Sequence, residues 1–138
     1  MKVMLDEGAF IPTKAHDTDA GFDLKCRHRV VVPARGSATI DTGVHVELPP
    51  ASVGMLKSKS GLNVKHGITS EGVIDEGYTG SIVVKLYNNS DIDYTFEPGD
   101  KITQLVVLPV FKVNIIQTDL ENFTDTERGA KGFGSSGK

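Results

Sequence analysis

The sequence predicts an all-β protein, a barrel or sandwich with a jelly roll favoured, and three observations carry this. Apolar residues come in short, β-branched, partly alternating runs. Glycine (15) and proline (6) are scattered between those runs and chop the chain into short pieces. No segment carries a sustained helical period.

Taken in order, the runs expected as strands are 29–32, 39–40, 44–48, 53–56, 81–87, 102–110 and 113–116. Turn chemistry fills the gaps at Pro33-Ala34-Arg35-Gly36, Pro49-Pro50, Asn88-Asn89-Ser90-Asp91 and Pro98-Gly99-Asp100. A turn or two of helix is expected over 60–64. From Gln117 onward the stretch QTDLENFTDTERGAKGFGSSGK has few aliphatics and almost no period, so it makes no core element. About twenty extended residues reach on the order of 60 Å, far enough to cross onto a neighbouring subunit. Residues 1–116 are therefore expected as the β domain and 117–138 as a flexible C-terminal arm.

A chain of 138 residues with 38% hydrophobic and 24% charged residues is ordinary for one globular domain, which argues against intrinsic disorder. No apolar run approaches the roughly 20 residues of a membrane span, and the N-terminus lacks a signal-peptide stretch. Cys26 is the single cysteine, so no intrachain disulfide framework exists; a reducing, cytoplasmic location is expected. A net charge of −3 argues against a nucleic-acid backbone binder.

His16, His28, His45 and His66 show no metal-site spacing, and no G-x-S-x-G serine signature occurs. The tail matches G-x-x-x-x-G-K from Gly132 to Lys138, but the helix that a P-loop needs is not expected after its lysine. Three stretches remain. Ser58-Lys59-Ser60-Gly61 reads either as a polar turn or as hydroxyls, a cation and backbone N–H groups gathered for phosphate oxygens. Residues 72–80 read as a tight hairpin aiming Asp75 and Tyr78, or as a turn with a solvated aspartate. The tail reads as a linker or as a ligand-binding segment. Together a carboxylate for water, cations for phosphate and a phenylalanine for a base point to nucleotide chemistry.

Five short motifs then occur in one order: AGFDL at 20–24, SKSG at 58–61, GVIDEGYTG at 72–80, GDKITQL at 99–105 and RGAKGFGSSG at 128–137. In that order they resemble the trimeric dUTPase (dUTP diphosphatase) family over most of the chain. The resemblance implies a distorted jelly-roll β-barrel with an extended C-terminal arm. It implies hydrolysis of dUTP to dUMP and diphosphate with Mg2+, keeping uracil out of DNA and supplying dUMP, in a homotrimer with shared active sites.

By the resemblance, Asp75 is the general base for the water attacking the α-phosphorus. Lys59, Ser60 and Gly61 hold the α- and β-phosphates, Gln104 adds a phosphate contact, and Asp23 holds the magnesium through water. Thr69 and the backbone around Ser70 and Gly72 meet uracil's polar edge, with Ile74 and Val83 lining the base and sugar. Tyr78 packs under the deoxyribose and leaves no room for a 2′-hydroxyl. Phe133 stacks on uracil with Gly134 beside it, while Arg128, Ser135 and Ser136 bind the γ-phosphate region. Lys59 stands where the family usually has arginine, so the charge is kept and the bidentate fork lost. Gly77, Lys131 and Ser136 replace a frequent acid, glycine and threonine. Rival readings are a dCTP deaminase of the same superfamily, a phage-type member that binds a repressor protein, and a structural β-barrel without a ligand.

Overall fold

The computed structural model describes residues 1–131, and the chain folds as short strands around one apolar core. In chain order these are β1 (Lys2–Leu5), β2 (Gly21–Lys25), β3 (Val30–Val32), β4 (Ser37–Asp41), β5 (Val44–Glu47) and β6 (Ser52–Lys57). There follow α1 (Ser60–His66), β7 (Ile68–Ile74), β8 (Val83–Asn88), β9 (Tyr94–Phe96) and β10 (Lys101–Pro109), then a 3₁₀ turn at Leu120–Asn122. Six strands form a curled sheet in the order β2-β10-β6-β7-β8-β4, accompanied by the antiparallel ribbons β1-β5 and β3-β9. Among the described residues no helix is long and apolar enough to cross a membrane.

The elements follow from their side chains. In β6 and β8 every second residue is buried, and Leu56, Val84 and Leu86 pack inward. On β10 the neighbours Ile102 and Thr103 are both buried, because the register with β2 shifts between Lys101 and Thr103. That shift carries Lys101 toward the carboxylate of Asp23.

The helix expected over 60–64 forms, as do strands at six of the expected runs. β1, β2, β7 and β9 were not among them; β2 and β7 are interrupted by glycine and polar residues, and β9 has three residues. The run 113–116 forms no strand, against expectation. It has strand composition, yet no described segment pairs with it, and Val113, Ile115 and Ile116 stand 76%, 95% and 84% exposed. A strand needs a ladder partner, whatever its propensity. Every residue from Leu108 to Lys131 is exposed.

Candidate active site

The structure sorts the expected residues into two clusters at opposite ends of one ribbon. The first lies where β2, β6 and β10 meet. Asp23, 5% exposed, pairs through Oδ1 with the ammonium of Lys59 and through Oδ2 with Lys101, whose Nζ is 2.6 Å away. Burial alone would raise this carboxyl; the hydrogen bonds and charges of Lys101 and Lys59 outweigh it and hold the pKa below the ordinary value.

Lys59 is also the residue that opens α1. The helix-opening position favours serine, threonine, aspartate or asparagine, whose side chains cap free N–H groups. Lys59 accepts the Asn63 N–H through its carbonyl but offers no side-chain cap. Ser60 and Gly61 are exposed in the first turn. Gln104 lies flat across Gly21, where an added Cβ would meet its Oε1 at 2.6 Å, and it donates to the Ser58 carbonyl at 3.1 Å. A glycine in AGFDL is thus what lets the glutamine of GDKITQL approach. Ser58 fixes the neighbouring strand: its Oγ accepts from Ser70 N at 2.9 Å and donates to Ser70 O at 3.1 Å. Ser70 is buried, with its Oγ 2.7 Å from Thr103 Oγ1. Thr69 Oγ1 accepts from the Asn89 amide at 3.4 Å.

The second cluster is the turn after β7. The Tyr78 N–H donates to the Asp75 carbonyl at 3.0 Å, closing a turn on which the Asp75 side chain is exposed. Tyr78 donates its hydroxyl to Ser81 O at 3.0 Å and lays its ring against Gly80. Glu76 accepts from the Ala51 N–H at 3.1 Å and from Lys112 at 3.3 Å, which ties the turn to the β5–β6 connection and to the root of the arm. Ser81 donates to Asp41. Ile74 is buried, Gly72 packs its bare backbone on Leu56, and Val83 is 49% exposed beside the turn.

The two clusters do not meet within one chain. β6 and β7 run antiparallel with Lys57 opposite Glu71 and Gly54 opposite Ile74. Lys59 therefore lies beyond one end of the ribbon and Asp75 beyond the other, about 20 Å apart at the rise of extended chain. Arg128 is exposed in the arm and donates from Nε to Lys131 O at 3.2 Å. Phe133, Gly134, Ser135 and Ser136 lie outside the described residues.

Lys101, Glu76 and Ser81 were missed in the sequence. Lys101 sits inside GDKITQL, and its cation beside Gln104 was a usable signal; the roles of Glu76 and Ser81 depend on long-range pairings that carry no local mark.

A Gly80→Ala substitution would set a Cβ 2.5 Å from Tyr78 Oη and 2.6 Å from its Cζ, so the ring must move. If Tyr78 floors the deoxyribose, as the family resemblance implies, the preference for dUTP over UTP is expected to fall about tenfold with little change in thermal stability, read from the two kcat/KM values.

Asp23 gives an acid-side prediction. Its pKa is depressed on folding, so its contribution to stability is present above its unfolded value near 3.8 and disappears as pH falls through the folded value. Asp23→Asn should cost about 2–3 kcal/mol at pH 7, because two lysines lose their buried partner, and should flatten the acid limb of urea-unfolding free energies.

The chain thus combines a curled β-sheet, a lysine at a helix start and a separate carboxylate–tyrosine turn. The profile of the family described as dUTPase matches residues 7–137. The deoxyuridine 5'-triphosphate nucleotidohydrolase of Clostridium acetobutylicum is 40% identical over 136 residues, covering 96% of this chain and 92% of that protein. The Candida albicans protein of the same name is 40% identical over 129 residues, covering 93% and 81%. Among solved structures, the Staphylococcus bacteriophage 80alpha dUTPase with dUPNHPP has a TM-score of 0.91 at 32% identity and covers 99% of this chain and 98% of its own. A mutant dUTPase of phage phi11 of S. aureus, described with a coordinated structural Mg(II) ion, has a TM-score of 0.80 at 30% identity, covering 88% and 98%. The chain belongs to the dUTPase family.

Proposed function

We propose that the protein is a dUTP diphosphatase that hydrolyses dUTP to dUMP and diphosphate. The reading rests on one observation above all: a single turn presents an exposed carboxylate, Asp75, and an aromatic ring, Tyr78, fixed on Gly80. The carboxylate of Asp75 takes a proton from a water molecule as the water oxygen bonds to the α-phosphorus. The bond from that phosphorus to the bridging oxygen breaks, and diphosphate leaves with the electron pair. Lys59, Ser60, Gly61 and Gln104 hold the α- and β-phosphates; Lys59 moves from Asp23 to the nucleotide while Lys101 keeps the carboxylate paired. Tyr78 floors the deoxyribose, and Thr69, Ser70, Gly72, Ile74 and Val83 enclose uracil. Arg128, Phe133, Gly134, Ser135 and Ser136 close over the base and the γ-phosphate region.

Among the described residues no three His, Cys, Asp or Glu side chains gather as a metal cage, and both Asp23 oxygens already carry a lysine. This donor set fits an Mg2+ ion carried in by the triphosphate and reached by Asp23 through water. When bound, the ion supplies neutralisation of phosphate charge.

The site is shared between chains of a homotrimer. The separation of Lys59 and Asp75 along one ribbon supports this, since a single α-phosphate cannot span about 20 Å. The exposed apolar run through Phe111, Val113, Ile115 and Ile116 supplies surface for a neighbour to cover. Residues 1–116 make up the barrel domain, whose last strand ends at Pro109, and 117–138 act as an arm completing a neighbouring subunit's site; the enzyme works in the cytoplasm.

The test is release of diphosphate from dUTP beside dTTP, dCTP and UTP, with and without Mg2+. Mg2+-dependent release from dUTP alone is expected. Release of ammonia from dCTP would establish the deaminase instead.

A further inference from the structure

We propose that His45 is a positioning residue for sugar selection: as an imidazolium it clamps the Tyr78 turn to the N-terminal strand, and the clamp opens at alkaline pH. His45 lies on β5 opposite Met4 of β1, with its side chain 18% exposed. Its Nδ1 is 2.8 Å from the carbonyl oxygen of Thr79, the residue between Tyr78 and Gly80. Its Nε2 is 3.1 Å from Asp6 Oδ1. Both partners are acceptors only. A neutral imidazole has one N–H, so only the protonated ring donates to both.

The charges facing the ring favour that state. Asp6 follows β1, and Asp41 on β4 lies nearby. Arg27 bridges these two carboxylates at 3.6 Å and 2.8 Å. Lys2 and Glu47 line the same groove and pair with each other at 3.0 Å. The Thr79 carbonyl raises the His45 pKa first; partial burial opposes it, and Asp6 and Asp41 add to the rise.

When the ring loses a proton, the carboxylate is the stronger acceptor and keeps the remaining N–H. The Thr79 bond is then the one given up. Arg27 still holds Asp6, so the strand pairing survives while the turn loses its outer anchor. Tyr78 retains its bond to Ser81 O, yet the backbone between its ring and Gly80 is freed. The sugar floor loosens, which affects substrate binding more than the chemical step. The stability supplied by His45 is complete below its unfolded pKa of 6.5 and is lost as pH rises through the higher folded value.

The sugar-selection part rests on the dUTPase reading, whereas the clamp itself does not, and the experiment separates them. In the full-length protein, the His45 ring and the amides of Tyr78, Thr79 and Gly80 are followed by NMR from about pH 5.5 to about 9. KM and kcat for dUTP and UTP are measured over the same range, for wild type, His45→Gln and Asp6→Asn. The turn amides are expected to titrate with the His45 ring, at a pH above 6.5. Across that titration KM for dUTP should rise about threefold to tenfold and its preference over UTP should fall, with kcat nearly constant. In His45→Gln both should be independent of pH, and in Asp6→Asn the transition should move to lower pH. Turn amides that ignore the His45 titration, or a His45 that titrates below 6.5, would overturn the clamp. Coupled amides with unchanged KM and dUTP preference would overturn the role in sugar selection. Absence of dUTP turnover would count against the dUTPase reading and the selection role with it, leaving the clamp to the NMR result.

Discussion

Asp75→Asn is expected to lower kcat for dUTP about 10²- to 10⁴-fold while affinity for a non-hydrolysable dUTP analogue changes little. The substitution keeps the shape of the turn. The backbone bond from Tyr78 N–H to the Asp75 carbonyl involves no side-chain atom, Glu76 still accepts from Ala51, and Tyr78 still rests on Gly80. What disappears is a proton acceptor: an amide oxygen at that position is far too weak a base to take a proton from water. Single-turnover kinetics and analogue titration together separate the two effects. A variant that turned over normally would remove Asp75 from the chemistry. A variant that lost affinity in step with turnover would make Asp75 a ligand-binding group instead.

Truncation after Glu127 is expected to leave a folded oligomer whose kcat/KM for dUTP is down by about 10²-fold or more. A base–aromatic stack is worth roughly 1–3 kcal/mol, and Phe133 is lost together with the cation of Arg128 and two serine hydroxyls. Stability should change little. The described part of the arm buries no residue, and the core residues Leu24, Leu56, Leu86, Phe96 and Leu105 all lie upstream. Size-exclusion chromatography and thermal unfolding check the fold; diphosphate release checks the activity. Full activity after truncation would remove the arm from the site.

How much was legible in the sequence depended on how far polar and glycine residues disturbed the strand pattern. β6 and β8 alternate in burial, and their short apolar, partly alternating runs at 53–56 and 81–87 marked them in the sequence. β2 and β7 hold Asp23, Ser70, Glu71 and Gly72, and these polar and glycine residues break the alternation in the strands that carry the site. Residues 113–116 fail the other way. Their composition is that of a strand, but composition supplies no ladder partner, and none exists among the described residues.

The site divides similarly. Asp75, Tyr78 and the Ser58-Lys59-Ser60-Gly61 turn stood out locally as candidates. The pairing of Asp23 with two lysines did not, since it arises from the β2–β10 register and its shift at Lys101. His45 drew attention only as a lone histidine, because its two acceptors come from segments 39 and 34 residues away.

One active site is expected to take Asp75 and Lys59 from different chains. Co-expression of Asp75→Asn and Lys59→Ala subunits with separate tags, followed by purification of mixed trimers, tests it directly. Each variant alone should be nearly inactive. In mixed trimers a site works when one chain brings an intact Asp75 and its neighbour an intact Lys59. Each mixed trimer in a head-to-tail ring holds one such pairing among its three sites, so about one third of wild-type activity is expected. Mixed trimers as inactive as either parent would mean that Asp75 and Lys59 of the same chain act together, and the shared-site account would be wrong.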